Sequence, residues 1–444
     1  MAFSTTAGHS MMNSINSTST FRDSSMRGAQ RSGSNSCGIT HHFHKPHTLT
    51  RPCAISSSVD GDDIDRKPRR SAAGPLRVFA PLREALSIGQ RLQEATTSSP
   101  NGLSLPSALA GEPDSVSLTE IMKPVNKDMD QCRKNLLNVV GERHPLLLAA
   151  ADQIFSAGGK RLRPLFVFLV ARATYPITEM TDITDKHRRL AEITEMIHTA
   201  SLVHDDVLDD CNIRRGKQTV NSLFGTRVAV LAGDFLFAQS SWFLANLDNM
   251  EVIKLISQVI ADFADGEISQ ASSLFDTKIT LAKYLDKSFY KTASLVAASC
   301  RGAAVFSECP VEVKEAMYAY GKHLGLAFQV VDDILDFTQS TEKLGKPQGQ
   351  DLASGNLTAP VLFALEDPKV GSKLAGLIKG RFKGGERDLE LALQLVQEGG
   401  GIERSRVLAR EQGAKAAAAL DILPDTPAKK SLHLMISYVL DRLY

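Results

Sequence analysis

The sequence is poor in cysteine, carries a single tryptophan and has almost no net charge. Its six cysteines, at 37, 53, 132, 211, 300 and 309, form no CxxC pair and have no histidine partners at zinc-finger spacing. That argues against a disulfide scaffold or a structural zinc site and predicts buried or idle thiols in a reducing compartment. With 51 basic and 50 acidic residues the balance is +1, so no nucleic-acid partner is expected. No uninterrupted apolar stretch approaches the roughly 18 residues that span a bilayer, and no transmembrane segment is expected. The phosphate-binding spacing GxxxxGK[ST] is missing, and strand signals are scarce.

What is present divides into three parts. Residues 1–58 hold 20 serines and threonines, one acid (Asp23) and five bases, giving +4 against −3 for residues 59–444. There is no apolar core of a secretory signal, and the acid-poor, hydroxylated composition predicts an organelle transit peptide, plastid first and mitochondrion as the alternative. Residues 59–114 remain rich in Ser, Pro, Gly and charge and read as a linker with one short helix. From 115 to 444 apolar residues recur at three- and four-residue spacing in segments dominated by Ala, Leu, Glu and Lys, which predicts a single all-α domain.

Two acidic clusters stand out in that helical background. Asp205 and Asp209, in HDDVLDD, are four residues apart and project from one face, with His198 two turns upstream on the same side. The second cluster, Gln329-Val-Val-Asp332-Asp333-Ile-Leu-Asp336, repeats the pattern. Like charges at this spacing cost a few tenths of a kcal/mol each, more when desolvated. A solvated helix end would explain one cluster; two, each embedded in Val, Leu and Ile, point to divalent cations, and carboxylates sharing water and phosphate oxygens suit magnesium. Cations lie close by in sequence: Lys160, Arg161 and Arg163 follow a Gly-Gly turn, and Arg214-Arg215-Gly216 follows the first cluster. Near a metal, Lys and Arg suit phosphate oxygens, so the pattern predicts two diphosphate sites side by side.

GGKRLRP (158–164), HTASLVHDDVLDDCNIRRG (198–216), LAGDFLFAQ (231–239), KTASL (291–295) and FQVVDDILDF (328–337) occur in the order seen in the trans-prenyltransferases, the isoprenyl diphosphate synthase family, which the chain resembles over about residues 118–444. VAVLAGDFLFAQSSWFLANL (228–247), DDILDFTQSTEKLGKP (332–347) and the leader are similar to its long-chain plant plastid type. The resemblance implies an isoprenoid synthase-type bundle of antiparallel helices around a deep central cavity, acting as a homodimer. It implies an enzyme that condenses isopentenyl diphosphate onto an allylic diphosphate, with a product that supplies the plastoquinone side chain. Lys160, Arg163, His198 and Arg215 would hold isopentenyl diphosphate; Arg214, Lys291, Thr292, Gln329 and Lys346 would contact the allylic diphosphate. Asp205, Asp209 and Asp332 would bind about three magnesium ions, with Asp206, Asp333 and Asp336 in support, and with Lys291 would carry the catalysis. A plastid lipid-associated protein remains an open partner.

Chain length is read one turn beneath the first cluster. Ala200 and Ser201 are small where short-chain relatives carry an aromatic ring, so a growing tail is expected to pass them toward Ile197, Thr194 and Ile193. One departure stands out: many relatives have a lysine where this chain has Asn356. Three alternatives are weaker. A terpene cyclase would mix Asn, Ser or Thr with Glu in its second site; a non-catalytic modulatory subunit would lose a cluster or the cations; a geranylgeranyl or other shorter-chain synthase would block the cavity.

Overall fold

The structure is a computed structural model that describes residues 116–444 except 140, 142–143, 157, 340–347 and 444. The described residues all fall in one compact unit, Leu103–Tyr444. The leader, the linker and Lys346 lie outside the described residues.

The unit is helical, as the periodicity predicts. Its main helices are α1 (Asn126–Leu137), α2 (Pro145–Ser156), α3 (Leu162–Thr174), α4 (Asp185–Leu208), α5 (Thr226–Ala245), α6 (Met250–Ser272), α7 (Leu281–Ser288), α8 (Ser294–Phe306) and α9 (Val311–Thr338). Beyond these come α10 (Ala359–Leu365), α11 (Glu386–Glu398), α12 (Gly401–Ala419) and α13 (Pro427–Leu440). In α9 the buried residues Val313, Met317, Tyr320, Leu324, Ala327, Val331 and Ile334 recur every three or four positions, placing one stripe toward the core. Helix α4 starts at a capping box, in which Thr184 and His187 satisfy each other's end of the first turn; such caps contribute about 1 kcal/mol.

Helix α9 packs along α8 and α12, α4 packs along α5 and α3, and α8 contacts α3, α4 and α6. One continuous apolar core runs from Ile121 to Val439, and each fully buried Leu, Ile, Val or Phe in it contributes about 1.5–3 kcal/mol. The thiols of Cys132, Cys300 and Cys309 are buried and unpaired, as expected.

Three local features depart from the expected plain helices. A small hairpin pairs Ile213 with Gln218 and Arg214 with Lys217. Its loop, Arg215-Gly216, has φ of 54° and 75°, the two positive values that match a tight turn to strand twist. Residues Phe289–Ala293 form a π-helical turn between α7 and α8, a geometry often found at functional sites. Helix α5 is 20 residues long with mean hydropathy 1.4, and by length and composition alone could cross a membrane. It contains Arg227 and Asp234, and its inner side packs on α4.

Candidate active site

The acidic ends of α4 and α9 face one cavity of about 700 Å³. Of the residues expected to act, Lys160, Arg163, His198, Ser201, Asp205, Asp209, Arg215, Lys291, Thr292, Gln329 and Asp332 all line it. Segments more than 170 residues apart in the chain thus meet at one place, as the two-diphosphate reading requires.

One wall is cationic. Gly158 and Gly159 turn the chain with φ of 74° and 137°, and a Cβ on Gly159 would come within 2.3 Å of Arg215 Nη1. The bare glycine lets the hairpin lean onto the loop, where Arg215 Nη1 donates to the Gly158 carbonyl at 2.7 Å. Arg161 is committed to structure: it pairs with Glu195 at 2.6 Å and donates to the Phe155 carbonyl at 2.9 Å. Arg163 differs. Its Nε is shielded from solvent and meets no hydrogen-bond partner among the described residues, and burial lowers its pKa to about 10, with Glu195 opposing and Arg215 adding to the shift. A guanidinium has five donors and no way to shed its charge in ordinary conditions, so one with a donor left over beside a cavity fits an anion. His198 stands beside it. Burial, then the positive field of Arg163, Arg215, Arg214 and Arg161, holds its pKa well below the ordinary value, so it offers a neutral imidazole.

Two residues of the π turn, Lys291 and Thr292, line the opposite wall. Lys291 Nζ meets Glu267 at 2.5 Å and Gln270 at 3.1 Å, and a Cβ on Gly266 would strike its stem at 2.8 Å. Thr292 donates to Gln329 Oε1 at 2.6 Å, and Gln329 donates onward to Asp333 at 2.9 Å.

The carboxylates have distinct surroundings. Asp209 caps α4 and is exposed, while burial, opposed by Lys291, raises Asp205 to about 6. Asp206 accepts from Arg214 Nε at 2.7 Å. That pairing draws Arg214 out of the main cavity; it lines a smaller recess of about 60 Å³ behind His198. In the second cluster Asp333 accepts from Tyr284 Oη at 2.5 Å as well as from Gln329, and burial raises its pKa to about 8. Asp336 is 2% exposed and accepts from the backbone N–H of Asp351 at 3.2 Å, tying down the chain beyond the helix. Asp332 faces the cavity and meets Arg442 at 2.7 Å, a guanidinium near the end of the chain.

No group of three His, Cys, Asp or Glu side chains among the described residues forms a ready metal cage. Asp205, Asp209 and Asp332 line a shared space instead, a donor set that fits a hard divalent ion only if a ligand's oxygens and water complete the shell.

The two chain-length residues sit at different depths. Ser201 lines the cavity, but Ala200 is 0% exposed and packs into the core. Ile193, Thr194 and Ile197 are also at 0%, so a tail running past them would pass through packed core. A second apolar recess of about 30 Å³ lies against Leu162, Phe166, Val296, Leu324 and Phe328.

Sequence reasoning missed Lys287, Tyr284 and Arg442. Lys287 and Tyr284 line the cavity from α7. The available signal was spacing, since Lys287 lies one helical turn before Lys291.

An all-α fold with two carboxylate-bearing helix ends facing each other across a cation-lined cavity defines the isoprenoid synthase class. The polyprenyl synthetase model matches residues 144–396, and the chain belongs to that family. It is 58% identical over 330 residues to solanesyl diphosphate synthase 1, chloroplastic, of Arabidopsis thaliana, covering 74% of this chain and 80% of that one. It is 57% identical to a prenyl transferase of a Synechocystis strain, covering 74% of this chain and all of the relative. A crystal structure of a polyprenyl synthase from Caulobacter crescentus, complexed with calcium and isoprenyl diphosphate, superposes with a TM-score of 0.69 at 31% identity, over 75% of this chain and all of the other.

Proposed function

We propose that this transferase is a solanesyl diphosphate synthase, adding isopentenyl diphosphate repeatedly to an allylic diphosphate. The observation that carries the reading is Arg163, whose shielded Nε meets no hydrogen-bond partner among the described residues, beside the cavity that Asp205, Asp209 and Asp332 also face. Lys160, Arg163, Arg215 and neutral His198 hold the diphosphate of isopentenyl diphosphate. Lys291, Thr292 and Gln329 hold that of the allylic partner. A divalent ion, magnesium by its preference for carboxylate and phosphate oxygens, neutralises charge on the leaving diphosphate when bound to Asp205, Asp209 and Asp332.

The bond that breaks joins the allylic carbon to diphosphate oxygen, and its electron pair leaves with the diphosphate. The isopentenyl double bond supplies the electrons for the new carbon–carbon bond, and the proton then lost goes to the departed diphosphate. The chain's own contribution is to hold both substrates in register and exclude water around Leu162, Leu202 and Phe328, which line the same space. No side chain needs to act as a nucleophile.

Residues 1–58 are read as a plastid address ahead of the linker 59–114 and the enzyme domain 115–444. Supporting this, all of the Synechocystis relative is covered by 330 aligned residues, whereas the Arabidopsis relative is named chloroplastic. The exposed Val230, Leu231 and Trp242 on α5 suit a homodimer contact better than a bilayer, given Arg227 and Asp234 on the same helix. The test is to incubate the full chain with magnesium, isopentenyl diphosphate and farnesyl or geranylgeranyl diphosphate and weigh the products. A ladder reaching solanesyl length is expected; a product stopping at geranylgeranyl length sinks the long-chain assignment, and no polyprenyl product sinks the activity.

A further inference from the structure

Lys287 is the buried cation that the reading above leaves unused. It lies on α7 with 8% of its surface exposed, unusual for a residue that is almost never buried unless paired. Its hydrogen-bond partner is neutral: Nζ donates to Asn356 Oδ1 at 2.6 Å. The Tyr284 ring centroid is 5.9 Å away. Among the described residues no carboxylate closes an ion pair with it, and two of the three ammonium donors find no acceptor. Asp333 and Asp351 are near enough to favour its charge electrostatically, while burial and Lys291 disfavour it.

Such a group costs the fold free energy unless an anion completes it. Lys287 also lines the main cavity with Lys291, Thr292, Gln329, Asp332 and Asn356. On an α-helical path, residues four apart share a face; the π turn that begins at Phe289 shifts Lys291 without removing either lysine from the cavity.

We propose that Lys287 is a diphosphate-binding residue of the allylic subsite, held in place by Asn356. Asn356 is the one position where the sequence lacks an expected lysine, and here its side chain orients a cation donated from α7. The ligand is a diphosphate oxygen, carried by the allylic substrate or by the pyrophosphate it releases. The proposal rests on the prenyltransferase reading.

The experiment uses the full chain and compares wild type with Lys287→Met and with the double variant Lys287→Met/Asn356→Lys, which moves the cation across the contact. Lys287→Met should raise KM for farnesyl diphosphate about 10- to 100-fold, the loss of one charge-assisted hydrogen bond. KM for isopentenyl diphosphate should stay within about twofold, and the double variant should recover most of the loss. Inhibition by added pyrophosphate should weaken in parallel if the released product shares the contact; unchanged pyrophosphate inhibition restricts the contact to the allylic substrate. An allylic KM within twofold of wild type, an equal rise for both substrates, or no recovery in the double variant overturns the assignment. Should Lys287→Met fail to fold, Lys287→Arg against Lys287→Gln makes the same discrimination, Arg retaining allylic affinity and Gln losing it. An inactive wild type would instead strike the activity itself, so the two failures are distinguishable.

Discussion

Asp205 and Asp209 close α4 with one carboxylate half-buried and the other exposed, whereas Asp333 and Asp336 in α9 are 3% and 2% exposed and already bonded within the protein. In sequence the two clusters are near copies. In space the first presents its i and i+4 acids to the cavity and commits only the middle one, Asp206, to Arg214. The second builds a scaffold, with Asp333 joining α7 to α9 through Tyr284 and Asp336 anchoring the chain near Asp351. The same spacing therefore leaves carboxylates open to the cavity in one helix and builds chiefly a framework in the other. What separates them is burial: a desolvated carboxylate must find partners inside the protein, and a wet one can wait for a ligand.

The largest effect should come from testing that contrast directly. Asp205→Asn is expected to lower kcat by about 1,000-fold or more, whereas Asp336→Asn should cost less than about tenfold in kcat and about 1–3 kcal/mol in stability. Steady-state rates with paired denaturation curves decide it; equal kcat losses with unchanged stability would erase the distinction between ligand and framework.

Next come the groups that flank the first cluster. Arg163→Gln should raise KM for isopentenyl diphosphate about 100-fold, since it removes a charge-assisted contact. His198→Gln should stay within about threefold, because an amide can replace a neutral imidazole as donor. A large effect of His198→Gln would mean that a charged imidazole is needed, and would reverse the order.

The residue one turn above each cluster sharpens the comparison further. Ser201 precedes Asp205 by four residues and Phe328 precedes Asp332 by four, and both line the cavity. Phe328 is already aromatic whereas Ser201 is small, so a ring added at Ser201 tests whether the product tail passes the first cluster. Ser201→Phe should shorten the products seen by mass spectrometry. Ala200→Tyr, at a fully buried position, should instead lower stability by about 1–3 kcal/mol through overpacking. Shortened products from a stable Ala200→Tyr would support the route along Ile197.

The smallest effect is in pH. His323, on α9, is lowered to about 4 by burial, with Gln412 partly opposing. The unfolded chain takes up that proton below about pH 6.5 and the folded chain does not, so this group costs nothing above 6.5 and about 2 kcal/mol by pH 5. Replacing His323 by Gln should therefore narrow the fall in Tm between pH 7 and pH 5, and an unchanged fall would show that the folded histidine titrates normally.

Much of this was readable from residue types. Helical periodicity gave the body, because long amphipathic stripes such as Val313–Ile334 repeat a pattern over many turns. The cavity's Lys160, Arg163, His198, Lys291, Thr292 and Gln329 followed from motif order. The hairpin at Ile213–Gln218 did not, since strands of two residues carry no alternation. The pairing of Arg214 with Asp206 was not legible, because nothing in a run of two arginines says which one a neighbouring carboxylate will capture. Ala200 and Ser201 were paired on size, but on a helix a shift of one position turns a side chain about 100°, so Ser201 lines the cavity while Ala200 packs in the core. Lys287 sat unnoticed because a lysine in a short amphipathic helix reads as solvated until the tertiary packing closes over it.

Arg442 gives the chain an internal reporter. Its guanidinium reaches Asp332 at 2.7 Å and stacks 4.8 Å from the Phe328 ring centroid, so the C-terminal turn is latched onto a carboxylate that a metal would also claim. One oxygen cannot serve both at full strength, and loading the site should loosen the latch. Amide hydrogen exchange across Asp441–Leu443 would then act as a clock on occupancy, running faster in the loaded enzyme than in the empty one.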